Sequence, residues 1–265
     1  MKEKNIVITG AGSGLGKEAA IFLAKRGHKV YATTQFENQT KSLNDIAKSD
    51  NLNLHSFKLD ILKESDREKL KNVEFDCLIN NAAIGDSGSV AEVDIDRIKE
   101  VFDTNVFANI KVTQIAVEKF IKQKYGRVIF ISSLVRRIPF PFLAPYCASK
   151  SAIEGFATSL KNELKMLDGS NVQVGIIEPG AYKTGFNMKN INQKYNWMQY
   201  DSFFRYKWED MYQKEHKIWN IIEKKNFNSI INQYVKAVED KNVKLRYTAP
   251  KSQAFLTEIG MILGM

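Results

Sequence analysis

The chain has 265 residues, enough for one large domain or at most two small ones. Hydrophobic residues make up 44% and charged residues 26%, a balance that excludes a disordered or fibrous chain. The formal charge is +9, yet bases and acids interleave, as in "EKKNFNSIINQYVKAVEDK". A solvated surface is therefore expected, with no nucleic-acid partner.

Asn5–Thr9 is a short β-branched run that ends in glycines and reads as a buried strand. Leu15, Ala19, Phe22 and Leu23 then recur at helical spacing, and Gly27 stops that helix. Further strands are expected at His28–Thr33, Asn53–Leu59, Phe75–Ile79, Arg127–Ser132 and Val172–Ile177. Helical patterns lie between them, including Asp96–Glu118 and Ser151–Met166. Strand and helix in alternation with short turns predict an α/β fold, a Rossmann-type doubly wound parallel sheet with helices on both faces. From Gly185 to about Gln233 the rhythm breaks into an aromatic-rich stretch with Tyr195, Trp197, Trp208, Tyr212 and Trp219. With no linker beside it, this reads as a helical excursion over the active face of a single domain spanning residues 1–265. "VKLRYTAP" predicts a last strand.

Cys77 and Cys147 are far apart and read as reduced, small apolar side chains of a cytoplasmic protein. His28, His55 and His216 have no paired ligand spacing, so no metal is expected. The N-terminus enters a strand without an apolar leader, and no run approaches the ~20 apolar residues of a span, so no membrane partner is expected.

Two motifs carry chemistry. "TGAGSGLG", Thr9–Gly16, joins the first strand to the first helix. Glycines there permit a tight turn and the approach of a pyrophosphate to the helix N-terminus. The spacing fits GxxxGxG through Gly10, Gly14 and Gly16, and not GxGxxG. The second motif is "APYCASKSA", where Tyr146 and Lys150 stand at i, i+4. A phenol has a pKa near ~10, but an ammonium about 5 Å away at an effective dielectric near ~20 stabilises phenolate by roughly 3 kcal/mol. That would bring the phenol toward neutrality, where it can shuttle a proton to or from a carbonyl oxygen. On its own the pair reads rather as a solvated surface contact.

With the motifs that follow in order, the chain resembles the short-chain dehydrogenase/reductase family from Asn5 to about Thr184, with a weaker echo at 246–250. Those motifs are Asp60 after the third strand, "NNAA" at Asn80–Ala83, Asn105, Ser133, the Tyr146/Lys150 pair and "PGAYKT" at Pro179–Thr184. Ala83 departs from the glycine usual there, and local crowding is expected. The resemblance implies that Tyr146 is the acid/base, that Lys150 lowers its pKa and holds the nicotinamide ribose, and that Ser133 bonds the substrate oxygen. Asn105 would position a water behind the lysine. The implied cofactor site comprises Gly10, Ser13, Gly14, Leu15 and Gly16 of the turn, Thr34 after the second strand, and Asp60 with Ile61 at the adenine. It continues through Asn81, Ala82, Tyr146 and Lys150 to Pro179, Gly180 and Thr184. From the residues alone, Asp60 and Thr184 could instead be helix caps.

An acidic residue after the second strand would select NAD. "VYATTQFE" has none at Thr34 or Gln35, although Glu37 is close and neither Gln35 nor Ser13 is basic; the hydroxyls of Thr33 and Thr34, with Lys17, could serve a 2′-phosphate, so NADP(H) is favoured over NAD(H). Apolar residues in Val135–Pro145, Ile84 and the aromatic excursion suit a bulky hydrophobic carbonyl or secondary alcohol, although the same aromatics could simply pack a lid or an interface. Arg136 and Arg137 could instead draw an acidic substrate. The reaction expected is interconversion of carbonyl and alcohol; the alternative is a non-catalytic NAD(P)-binding sensor. Helices 96–118 and 151–166 could form the contact of a homodimer or homotetramer.

Overall fold

The β-branched run Asn5–Ile8 forms β1, and its period-2 alternation divides the interior in two: Ile6 and Ile8 enter one core, Val7 the other. The computed structural model describes residues 2–263. The strands that follow are β2 (Lys29–Thr34), β3 (Leu54–Lys58), β4 (Cys77–Asn80), β5 (Tyr125–Ile131), β6 (Asn171–Pro179) and β7 (Arg246–Ala249). They pair in parallel in the order β3-β2-β1-β4-β5-β6-β7. Chain order reverses direction between β1 and β4, so a crevice opens there at the carboxyl ends of the strands.

The helices are α1 (Gly14–Lys25), α2 (Glu37–Ser49), α3 (Glu64–Arg67), α4 (Ile95–Phe102), α5 (Asn109–Lys122), α6 (Ala144–Leu164), α7 (Phe186–Met198), α8 (Trp208–Ile222), α9 (Asn228–Glu239) and α10 (Lys251–Ile262). Leu23 of α1, Leu43 of α2 and Ile230 and Tyr234 of α9 fill the core on the Ile6 side. Val112 and Phe120 of α5 and Ile153 and Ala157 of α6 fill the opposite core. This is the doubly wound Rossmann-type fold expected. Gly27 ends α1 at φ +89, a conformation that favours glycine.

Three elements differ from expectation. The helix expected over 96–118 is broken by a π-helical stretch, Asp103–Ala108, between α4 and α5. Asn109 accounts for the break locally: its amide donates to the carbonyls of Thr104 (3.0 Å), Asn105 (3.1 Å) and Ala82 (3.1 Å). Second, α6 starts at Ala144 rather than Ser151, because Pro145 occupies its first turn, where no N–H is required. Third, the excursion does not reach 233. The helix α9 lies in the main core with Ile230, Ile231 and Tyr234 buried, and its C-terminal carbonyls at Ala237 and Val238 accept from the buried Arg127 on β5. Over 186–222, Ile191, Tyr195 and Met198 form a third cluster, with Tyr195 and Tyr212 edge to face at 5.5 Å. Lys194, itself buried, pairs with Glu215 at 2.5 Å and ties α7 to α8.

Candidate active site

A cavity of about 880 Å³ occupies the crevice and runs from the β1–α1 turn to the underside of α7 and α8. At its floor Gly10 adopts φ +64 and Gly14 φ +57. A side chain at Gly10 would put its Cβ 2.6 Å from the Ala82 Cα, so the turn can lie against the segment after β4 only as glycine. A Cβ at Gly14 would sit 3.5 Å from that of Thr184 and fill the gap between the α1 N-terminus and the far wall. Ser13, Gly14, Leu15 and Gly16 line this space, where the first N–H groups of α1 lack helical partners. Asn81 locks the turn from behind. Its amide donates to the carbonyls of Thr9 (2.9 Å) and Gly10 (3.1 Å), and its oxygen accepts from the buried Tyr234 hydroxyl (3.1 Å). Ala82 and Ala83 line the cavity beside it.

Tyr146 and Lys150 occupy the first two turns of α6 and face the same cavity, with Ser133 from the end of β5. The Lys150 ammonium donates to the Ile131 carbonyl at 2.8 Å and stands 5.5 Å from the centre of the Tyr146 ring. Phe186 packs against that ring with centroids 5.4 Å apart. Burial dominates the electrostatics of the pair. Burial pushes Tyr146 well above the ordinary phenol range, and a hydrogen bond with Ser133 offsets this in part. Burial likewise pushes Lys150 down to about 8. Burial is the largest influence on both groups and keeps the Tyr146 phenol neutral. Asn105 stands behind this wall, in the π-helical stretch. Its oxygen accepts from the Ile84 N–H (2.8 Å), and its amide donates to the Ile84 carbonyl (2.8 Å) and the Ser149 hydroxyl (3.0 Å).

At the opposite end the lining is Gly12, Ser13, Gln35, Phe36 and Gln39, with Asp60 and Ile61 across from them. Asp60 does accept a local N–H, that of Leu62 at 3.1 Å, but it caps no helix, since α3 starts only at Glu64. Thr34 corrects an expectation. It is fully buried, its hydroxyl donating to the Phe36 carbonyl (3.1 Å) and lying 2.5 Å from that of Thr40. Thr33 is also fully enclosed. Neither hydroxyl is presented to a ligand, and Gln39, on the first turn of α2, takes their place at the surface of the cavity.

Pro179, Gly180 and Thr184 line the wall after β6. The Thr184 oxygen also accepts from Phe186 N–H at 3.4 Å, so the residue serves the start of α7 as well. Gln253 of α10 clamps this turn, accepting from Ala181 N–H at 2.7 Å. Neither Arg136 nor Arg137 lines the cavity. Arg136 pairs with Glu178 (2.8 Å) and Glu154, and Arg137 pairs with Glu178 (2.7 Å) and Glu258 (3.2 Å). Arg246 donates to Glu154 at 3.0 Å, and Thr248 to Glu178 at 2.8 Å. Burial raises the Glu178 carboxyl, but Arg137, Thr248 and Arg136 together hold it below the usual range. Gln39, Gln253 and Glu178 were missed in the sequence; the one available signal was an acid inside the apolar strand "VGIIEPG".

The sequence profile of the short chain dehydrogenase family matches residues 4–195. A probable short-chain type dehydrogenase/reductase, VdlC of Helicobacter pylori, is 36% identical over 187 residues, covering 68% of this chain and 65% of the relative. Among solved structures, a short chain dehydrogenase/reductase from Burkholderia phymatum in complex with NAD superposes with a TM-score of 0.81 at 17% identity, covering 99% of this chain and 95% of that one. An actinorhodin polyketide ketoreductase with NADPH gives a TM-score of 0.79 at 20% identity, covering 95% and 97%. These two likenesses concern the fold. The profile match takes in the glycine turn, the segment after β4, the Tyr146/Lys150 helix and the turn after β6 together, and by it the chain belongs to the short-chain dehydrogenase family.

Proposed function

We propose that the protein is an NAD(P)-dependent oxidoreductase that interconverts a carbonyl and a secondary alcohol, with Tyr146, Lys150, Ser133 and Asn105 as its working residues. The observation that carries this is the meeting, in one cavity, of a glycine turn at a helix N-terminus with a buried phenol, ammonium and hydroxyl. The cavity suits a pyrophosphate and nicotinamide, which Gly10, Gly14, Gly16, Asn81, Ala82, Pro179, Gly180 and Thr184 of its lining would hold. When bound, the nicotinamide supplies or takes up the hydride. In the reducing direction Tyr146, neutral at rest, gives its proton to the substrate oxygen while Ser133 donates a hydrogen bond to the same atom. The Lys150 ammonium then stabilises the phenolate left behind. Asn105 holds Ile84 and, through Ser149, the first turns of α6 in register.

Lys150 sets the pH dependence. Its folded pKa is depressed to about 8, so the ammonium is intact below that value and is lost as pH rises through it. Tyr146 stays protonated throughout, its own pKa being raised. The expected result is that kcat/KM for carbonyl reduction declines above pH about 8. A profile flat to about pH 10, the ordinary lysine range, would contradict this role.

Of the two cofactors, the proposal favours NADP(H). No carboxylate lies among Gln35, Phe36 and Gln39 to repel a 2′-phosphate, and the Gln39 amide offers a donor. Because no lysine or arginine lines that end either, the preference should be modest, roughly two- to tenfold in kcat/KM over NADH. Preference for NADH in the same comparison would reverse this assignment. The substrate end is walled by Phe140, Leu143, Phe186, Ile191, Trp219 and Leu256, which supports a bulky hydrophobic substrate. Phe107 and Phe156, about half exposed, stand beside or on helices α5 and α6, in support of a homo-oligomer formed through them.

A further inference from the structure

Two helices leave apolar sides uncovered where the cavity opens. On α10, Phe255 (63% exposed), Leu256, Ile259 and Ile262 (84% exposed) recur at helical spacing on the outer face, while Gln253, Thr257 and Gly260 turn inward. On α8, Ile218 and Ile221 are exposed in the same way. The Gln253 amide donates to the Ile222 carbonyl at 2.8 Å, so α10 meets the end of α8. Leu256 and Ile222 are both exposed and both line the cavity, which makes this apolar surface the rim of its mouth.

Exposed lysines border it. Lys217 lies one helical turn from Ile221, Lys251 one turn from Phe255, and Lys224 and Lys225 follow the end of α8. Of the acids on these segments, Glu258, 63% exposed, pairs with Arg137 at 3.2 Å, and Glu223 is buried, accepting from Asn187 at 2.8 Å.

We propose that this face docks on an anionic lipid bilayer, with the apolar side chains of α8 and α10 in the headgroup boundary and the lysines on lipid phosphates, so that the cavity mouth opens into the membrane interface. The charge decides the occupant. A second copy placed two-fold on the same face would bring these lysines against one another and close the cavity mouth. A bilayer supplies the opposite charge and leaves the mouth open to hydrophobic molecules. Such docking needs no spanning helix, and none of the described helices is long and apolar enough to span. It goes beyond the expectation of no membrane partner, which rests on the lack of an apolar leader and of a span. The inference does not rest on the oxidoreductase reading, because binding is measured without turnover.

The test is flotation of the purified protein with vesicles of phosphatidylcholine containing ~30% phosphatidylglycerol, beside vesicles of phosphatidylcholine alone. The protein should float with the anionic vesicles, and recovery should fall as salt rises from about 50 to about 500 mM. Phe255→Asp with Ile262→Asp should lower the bound fraction roughly tenfold, and Lys217→Glu with Lys251→Glu should do the same. Both pairs lie at the exposed surface, so their thermal midpoints should match the parent. No flotation above the vesicle-free control would overturn the proposal. So would flotation that neither pair of substitutions weakens, or sedimentation showing a dimer that the Phe255→Asp/Ile262→Asp pair dissociates.

Discussion

Tyr146→Phe should lower kcat by about 10²–10⁴-fold while reduced nicotinamide still binds with near-parent affinity. The substitution removes one oxygen and leaves the ring against Phe186. The proton that the substrate oxygen must receive then has no donor on α6, because Lys150 is directed at the Ile131 carbonyl. Fluorescence titration of the cofactor separates the two effects: binding measures the cradle around Gly10 and Gly14, and turnover measures the phenol. Parent-like kcat in the variant would remove Tyr146 from the mechanism. Loss of cofactor binding would make it a structural residue instead.

Glu178→Ala should destabilise the protein by about 3–5 kcal/mol, or roughly 10 °C in thermal midpoint. Glu178 is fully buried on β6 and neutralises Arg136 and Arg137, which come from the turn after β5. Truncation leaves those guanidinium groups with Glu154 and Glu258, and the Thr248 hydroxyl loses its acceptor. The penalty is that of buried charge left without compensation. Acid should act in the same direction. The folded Glu178 pKa lies below its unfolded value, so its contribution is present above the ordinary carboxylate range and is lost as pH falls through the folded value. Thermal unfolding followed from neutral to acidic pH, parent against Glu178→Ala, checks both statements. A variant within ~1 kcal/mol of the parent would show that the arginines find water instead.

What the sequence disclosed was what local rules govern. Strands buried on both faces need β-branched runs, and the glycine turn and Gly27 stand where left-handed backbone is required, so each could be read in place. The Tyr146/Lys150 spacing was legible for the same reason, since one helical turn fixes a relative direction. Partners far apart in the chain were not legible. Arg136 and Arg137 looked free because Glu178 lies more than forty positions away. Thr34 looked available because strand alternation does not reveal that Thr40 and the Phe36 carbonyl take its hydroxyl. The start of α6 was set too late because Pro145 was not recognised as a first-turn residue. Burial, which a sequence does not display, raises the phenol more than the Ser133 hydrogen bond lowers it.

These differences bear on chemistry as well as on shape. With Arg136 and Arg137 withdrawn into the Glu178 cluster, the substrate end keeps its apolar walls and no arginine faces an acid there. The same cluster joins the turn after β5, which presents Ser133, to β6, β7 and α10. Ser133, hydrogen-bonded to Tyr146, is thus anchored by charge pairs that lie outside the cavity lining.

The central claim is that the cavity pairs a nicotinamide with the Tyr146 proton donor to reduce a carbonyl. The most direct measurement is loss of reduced-nicotinamide absorbance when the protein is mixed with NADPH or NADH and a panel of bulky hydrophobic ketones and aldehydes. The account predicts oxidation of the cofactor in step with alcohol formation, faster with NADPH. Cofactor that binds, as its fluorescence reports, yet is not oxidised with any member of the panel would contradict it.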